Sequence, residues 1–340
     1  MKILVIKRDK IGDLLLAKPM LAHLRQSAPN AEIHFLANDY NAWVVKDDRN
    51  IDRLWIYPRV RHGAELRPRA FVAQVLQLFK LRAERFDWAI AAGGVISPRA
   101  VTRLLRVGAR RTVAYCGGIP VCANLTDPLP LPRGRHEVDL NLDLLLPLGI
   151  APPPGPLYPE YRLPEEWRRF AAGWLAGREM KPGQYVVIAL NARRAKRKPS
   201  TEQVLRWARR LKSERNLDTV LIWQPGEADN RVYPGDDALV RAILEQKAEH
   251  IHPFRNEESM LPALGIIWNA RVSIIPDGGI AHFAAASPGG VLTLFAETEV
   301  SPHPSQWGPR GVRADYLDAD RSVAELADDA VFARLAPLLA

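Results

Sequence analysis

Three stretches of the sequence combine residue types and spacing able to do chemistry. In the first, Arg8-Asp9-Lys10-Ile11-Gly12-Asp13 follows the apolar run Ile3-Leu4-Val5-Ile6 and precedes an apolar helix. Gly12 and Asp13 therefore fall at a strand-to-helix turn. Asp13 is either an N-cap, its carboxylate accepting bonds from orphan amides, or a general base at the edge of a cleft. One aspartate by itself leaves both readings open. In the second, Tyr185 to Leu190 leads into Asn191-Ala192-Arg193-Arg194-Ala195-Lys196-Arg197-Lys198-Pro199 and then Ser200-Thr201-Glu202-Gln203. Ser200 and Gln203 have capping-box spacing. The order strand, basic loop, helix start puts cations and free amides where a diphosphate could be held. A solvated loop can carry the same charges, but the position at a strand's carboxyl end favours a site. In the third, Ile275-Pro276-Asp277-Gly278-Gly279-Ile280-Ala281-His282 gives a strand, a glycine turn and a small-residue helix. Its glycines allow close backbone approach to a ligand, and Asp277 and His282 lie about a helical turn apart beside them. His282 alone reads as structural.

Such groups need a scaffold that brings strand ends together. Apolar runs of strand length alternate with segments of helical period, as in parallel sheets covered on both faces. One series holds Ile3 to Ile6, Ile33 to Ala37, Leu54 to Tyr57, Trp88 to Ala91 and Thr112 to Tyr115, with a helix over Leu14 to Gln26. A second holds Tyr185 to Leu190, Thr219 to Trp223, His250 to His252, Val272 to Ile275 and Val291 to Phe295. Between them Ala151-Pro152-Pro153-Pro154-Gly155-Pro156 can neither continue a helix nor pair inside a sheet. Helices are expected on either side, over His136 to Leu148 and Glu165 to Ala176. This predicts an α/β chain of two doubly wound domains, 1–155 and 156–340, each binding ligands beyond the carboxyl ends of its strands. The last helix is left free to pack back on the N-terminal domain. Neither G-x-G-x-x-G after the first strand nor G-x-x-x-x-G-K-[ST] occurs, so the dinucleotide and P-loop readings lose their main support.

Composition sets the outer bounds. The 340 residues are 47% hydrophobic and 25% charged, enough to bury a sizeable core. The net charge of +9 favours anionic partners. No aromatic-and-basic RNA-binding signature accompanies it, which argues against nucleic acid. No window reaches the roughly 18 apolar residues of a membrane helix, and the N-terminus reads as a buried strand rather than a signal peptide. The two cysteines, Cys116 and Cys122, are read as neither a zinc site nor a disulfide framework, which makes a reducing cytoplasm the default.

These same stretches resemble the ADP-heptose:lipopolysaccharide heptosyltransferases of glycosyltransferase family 9, over nearly the whole chain. Ile3-Leu4-Val5-Ile6 with Ile11-Gly12-Asp13, Pro19, Leu24 and Pro29-Asn30-Ala31 is similar to the N-terminal signature. His136-Glu137-Val138 with Leu144-Leu145 and Leu148-Gly149 resembles the helix before the linker. Asp277-Gly278-Gly279-Ile280-Ala281-His282, Leu294-Phe295-Ala296-Glu297-Thr298 and Trp307-Gly308-Pro309 resemble the donor block. The resemblance implies a GT-B fold, with an acceptor-side domain followed by a nucleotide-sugar-binding domain. It implies an inverting transfer that uses no metal and no resident cofactor, the ADP-sugar serving as co-substrate.

Carried over by position, Asp13 is the base that deprotonates the acceptor hydroxyl, and Lys196 binds the donor phosphate. Asn191, Asp277, Gly278, Gly279 and His282 join the donor-binding set, with Glu227 a candidate for the ribose. The resemblance further implies a phosphorylated glycolipid acceptor and peripheral contact with the anionic inner face of the cytoplasmic membrane. Three positions depart from the family pattern: Gly278 where Thr or Ser is common, Ala296 for glycine and Lys198 for tryptophan. They leave the donor sugar open. A nucleotide-sugar epimerase on the same plan, and a non-catalytic nucleotide-sugar or nucleic-acid binding protein, are the competing readings.

Overall fold

The computed structural model describes residues 1–62, 65–230, 234–257, 259–299 and 303–340. The chain divides into two compact units, Met1–Glu160 and Tyr161–Ala340. The proline-rich stretch lies just ahead of the division, in a segment without helix or strand.

The first unit contains β1 (Lys2–Ile6), β2 (Glu32–Asn38), β3 (Arg53–Tyr57), the two-residue strands β4 (Arg61–His62) and β5 (Glu65–Leu66), β6 (Trp88–Ala91), β7 (Arg111–Cys116) and β8 (Asp127–Pro130). All but β4 and β5 form one parallel sheet in the order β3-β2-β1-β6-β7-β8. The second unit contains β9 (Tyr185–Ala189), β10 (Asp218–Trp223), β11 (Ile251–Arg255), β12 (Val272–Pro276), β13 (Val291–Ala296) and β14 (Ala314–Ala319), in the order β11-β10-β9-β12-β13-β14. The order is the same in both: the first, second and third strands run outward from the centre to one side, and the fourth, fifth and sixth to the other. This is the doubly wound arrangement, whose order reverses beside the first strand.

The central strands are continuous apolar runs because helices cover both faces. Ile3, Leu4 and Val5 are wholly buried, as is every residue of β9. In the second unit Trp207, Val204 and Leu211 pack beneath the sheet. The last helix, Asp328–Leu339, is committed to this same core: Val331, Phe332, Leu335, Leu338 and Leu339 all belong to it. Its start is pinned by Arg206 and the Trp207 indole N–H, both donating to Asp328.

Three further expectations are corrected. β11 runs to Arg255 rather than stopping at His252, with Pro253 inside it. A proline is tolerated there because β11 is the outermost strand and needs no ladder bond on its open side. The opposite edges, β8 and β14, escaped the sequence reading because Asp127-Pro128-Leu129-Pro130 and Ala314-Asp315-Tyr316-Leu317-Asp318-Ala319 are half polar, as edge strands are. Finally, Cys116 and Cys122 form a disulfide with a Cα–Cα distance of 6.1 Å. Cys116 ends β7, and the short turn Pro120–Asn124 brings Cys122 back to it. The composition argument for a reducing compartment falls with that pairing. Among the described residues no helix is long and apolar enough to cross a membrane.

Candidate active site

In the first unit the strand order reverses between β1 and β6, and the chain leaving each strand builds a charged centre. Lys7, directly after β1, is 1% exposed, with Nζ 3.1 Å from Glu137 Oε1 and 3.4 Å from Asp9 Oδ2. Glu137 is wholly buried at the start of the helix Glu137–Asp143, and both its oxygens accept the Gly94 N–H at 2.9 and 3.0 Å. Gly93 and Gly94 follow β6 because nothing larger fits. Gly93 has φ +129°, and a Cβ there would lie 2.5 Å from Lys7 Nζ. A Cβ on Gly94 would lie 2.5 Å from Glu137 Oε2.

Asp13 sits beside this pair in the first turn of the helix Ile11–Ser27, three residues after Lys10, and is partly exposed. Its Oδ2 accepts the Lys10 N–H at 2.9 Å. The capping role considered for Asp13 is therefore real, but it occupies one oxygen; no other hydrogen bond to the Asp13 carboxylate is made among the described residues. Burial pushes the Asp13 carboxyl above the ordinary aspartate range, and Lys7 is the main charge that opposes the shift. Burial also works against the Lys7 ammonium, but Glu137, Asp13 and Asp9 outweigh it and hold its pKa above the ordinary lysine value. The result is a carboxylate of raised basicity beside a cation that keeps its charge.

In the second unit the reversal falls between β9 and β12. The loop after β9 carries Asn191 and the cations, and the chain after β12 carries Asp277 and Gly278. The two ends meet: Arg197 Nη1 donates to Asp277 Oδ2 at 2.7 Å. A Cβ on Gly278 would be 3.7 Å from the Asn191 carbonyl oxygen. Gly278 is extended, at φ 163°, so a serine or threonine would be accommodated there. Gly279 begins the short helix that carries His282, which is 6% exposed. The Asn191 amide oxygen is shielded from water and has no donor among the described residues, leaving an acceptor for a ligand.

Lys196, 61% exposed, reaches Glu297 at 3.0 Å, and Arg194 lies 3.7 Å from the same carboxylate. Glu297 follows β13 with φ +56°, and the Lys196 hydrogen bond chiefly holds its pKa below the usual glutamate value. Lys198 pairs with the buried Asp236. The expected capping box is formed, Gln203 N–H donating to Ser200 Oγ at 3.2 Å and Ser200 N–H to Gln203 Oε1 at 3.0 Å. Thus Asn191, Lys196, Asp277 and Gly278 are gathered at the carboxyl ends of the central strands. Glu227 is farther out in the loop after β10, exposed, with its carbonyl accepting the Gly235 N–H.

Sequence reading missed four participants. Lys7 and Glu137 are 130 residues apart, and only the fold shows that they form one ion pair. Glu297 lay inside the quoted donor block without being singled out. An open groove of ≈ 530 Å³ at the end of β11, lined by Trp167, Phe170, Trp174 and Phe254, was also not foreseen. Trp167 Nε1 and Asn256 Oδ1, both on its lining, are shielded from water and lack hydrogen-bond partners among the described residues. Aromatic walls with one donor and one acceptor suit a heteroaromatic base. A metal-like trio, Glu32, His34 and Glu84, also exists, but it lies at the amino ends of β1 and β2. Lys2 and Arg53 already neutralise it, at 2.7 and 2.6 Å from Glu84.

Two doubly wound units with polar groups gathered at both reversal points have the α/β two-domain plan of the GT-B fold. Residues 75–325 match the model of glycosyltransferase family 9 (heptosyltransferase), and the chain belongs to that family. It is a glycosyltransferase, which sets aside the epimerase and the non-catalytic binding protein. The structure is similar to a family 9 glycosyl transferase of Veillonella parvula DSM 2008, at 17% identity and TM-score 0.81, over 99% of this chain and 97% of that one. It is similar to the E. coli ADP-heptose lipopolysaccharide heptosyltransferase II, at 17% identity and TM-score 0.74, over 100% and 98%. It is also similar to E. coli heptosyltransferase WaaC with ADP, at 16% identity and TM-score 0.74, over 99% and 100%. No curated protein sequence matches.

Proposed function

We propose that the protein moves a heptose, or a closely related sugar, from an ADP-sugar to a hydroxyl of a phosphorylated lipopolysaccharide-core glycolipid, inverting the anomeric centre in one displacement. The reading is carried by the contrast between the two reversal points: a basic carboxylate at one and a cluster of exposed cations at the other. In this reading Asp13 accepts the proton of the acceptor hydroxyl as its oxygen attacks the anomeric carbon, while the glycosidic C–O bond to the diphosphate breaks. Lys7 keeps a positive charge beside Asp13, so the acid ionises despite its burial. Lys196, with Arg194 and Arg197, offsets the charge growing on the departing diphosphate, the part a metal ion plays elsewhere. Asn191 and the Asp277-Gly278-Gly279 turn hold the sugar and diphosphate, and His282 supports that turn from its helix. The aromatic groove at β11 takes the base, with Glu227 a candidate for the ribose. That WaaC is described with ADP supports the choice of nucleotide. Neither a metal nor a resident cofactor is invoked. The protein would work in the cytoplasm at the inner membrane face, where such an acceptor is displayed.

The test is product analysis with ADP-heptose and a lipopolysaccharide-core acceptor. ADP release in step with a glycoside of inverted configuration is expected, and Asp13→Asn should lower turnover by about 10²- to 10⁴-fold. Retention of configuration, or wild-type turnover in folded Asp13→Asn, would overturn the mechanism.

A further inference from the structure

The helix Pro68–Ala83 in the first unit buries only Ala70 and Leu81. Five of its large apolar side chains face solvent: Phe71 is 61% exposed, Val72 57%, Val75 38%, Leu76 58% and Phe79 62%. At about 100° per residue these positions span one continuous arc of roughly 140°, separate from the side that meets the protein. Leu66, just ahead of the helix, is 59% exposed. A contiguous apolar stripe in water marks an interaction surface rather than a core face.

Its surroundings are cationic. From Leu66 to Arg111 the chain has ten Lys and Arg against two acids, most of the net charge of +9. Both acids are occupied, Glu84 by Lys2 and Arg53, and Asp87 by Arg110 at 3.5 Å. Arg69 and Lys80 border the stripe on the helix itself. On its other side, between this helix and the helix Pro98–Val107, runs an open groove of ≈ 380 Å³. Phe71 and Val75 share its lining with Arg8, Arg99, Arg103 and Arg106, and no carboxylate lines it. Arg8 Nε is shielded from water and finds no acceptor among the described residues. A second copy of the chain would bring this cationic border against itself, so the stripe suits an apolar surface that carries its own negative charge.

We propose that the helix Pro68–Ala83 docks the protein on an anionic phospholipid bilayer. Its apolar stripe enters the headgroup layer, and the flanking Arg and Lys hold lipid phosphates, one of them in the groove at Arg8, Arg99 and Arg103. This rests on the reading of a membrane-borne acceptor, and names the surface that would meet that membrane.

The test is co-sedimentation of the full chain with vesicles of phosphatidylcholine alone or mixed with phosphatidylglycerol. Binding to the mixed vesicles that weakens with salt is expected. The double variant Phe71→Ser, Phe79→Ser, on exposed sites, should lower partitioning at least about tenfold while its circular dichroism stays wild type. Arg69→Glu with Lys80→Glu should abolish the preference for the mixed vesicles. Transfer to a deacylated, soluble acceptor should be untouched by either variant. The proposal is overturned if wild type binds neither vesicle or both equally, or if the serine variant sediments like wild type. It is equally overturned if ultracentrifugation finds a wild-type dimer that the serine variant dissolves. Absence of transfer to any acceptor, with vesicle binding intact, would instead strike the functional reading.

Discussion

At the reversal point of the first sheet a lysine is 1% exposed and locked to a buried glutamate, whereas at the matching point of the second a lysine stands 61% exposed on a basic loop. The strand order is the same in both sheets. What differs is how each half treats charge. The first desolvates an ion pair to set the basicity of a neighbouring acid. The second leaves Arg194 and Lys196 in water, steadied by Glu297, where an incoming anion can reach them, while Arg197 and Lys198 are largely buried against Asp277 and Asp236. The topology fixes where a ligand can go, and the side chains placed there decide whether that end accepts a proton or receives a leaving group.

The contrast can be broken most sharply at Glu137. Glu137→Ala leaves Lys7 buried with only Asp9, at 3.4 Å, as an ion-pair partner and strips the buried Gly94 N–H of its acceptor, and should cost about 3 kcal/mol of stability in urea unfolding followed by a probe in the first unit. Lys7→Met with Glu137→Gln, which removes both charges but keeps an acceptor for the Gly94 N–H, should recover part of that loss. A loss below 1 kcal/mol for Glu137→Ala would mean the pair is not desolvated as described.

On the other side, Lys196→Ala should weaken ADP binding about tenfold by calorimetry, with stability changed by less than about 0.5 kcal/mol. Its ion pair is exposed, so any large fall in stability would contradict the picture of a loop held ready for an anion.

A pH profile sharpens the first half. Burial raises the Asp13 pKa, so the folded state holds that proton more tightly than the unfolded chain does. The resulting penalty on folding is absent below the ordinary aspartate value, 3.8, grows as pH rises through it, and levels off above the raised value. The acid limb of kcat/KM should therefore lie above 3.8, and removing the Lys7–Glu137 pair should move it higher, because Lys7 is the chief opposing charge. An unmoved limb would exclude Asp13 as its source. The smallest effect is expected at Gly278→Ser, whose side chain meets only ordinary contacts: stability should stay within about 0.5 kcal/mol in denaturant titrations.

Much of this was legible in the chain. Ile3 to Ile6 and Tyr185 to Leu190 read as buried strands because no polar residue interrupts them, and their ends marked where Asp13 and Lys196 would be displayed. The edge strands β8 and β14 were hidden by half-polar sequences, and Pro253 cut β11 short on paper. Lys7–Glu137 was invisible for a different reason: a pair 130 residues apart becomes a pair only when β1 and the helix Glu137–Asp143 are packed together. The Cys116–Cys122 disulfide likewise depended on a turn whose path composition does not reveal.

The most direct test of the division of labour is a crossed measurement of ADP affinity and turnover in Asp13→Asn and Lys196→Ala. Asp13→Asn should keep the wild-type ADP Kd within about twofold while turnover falls by about 10²-fold or more, and Lys196→Ala should lose affinity for ADP. If Asp13→Asn weakens ADP as much as Lys196→Ala does, the two halves do not divide the reaction, and the central claim is wrong.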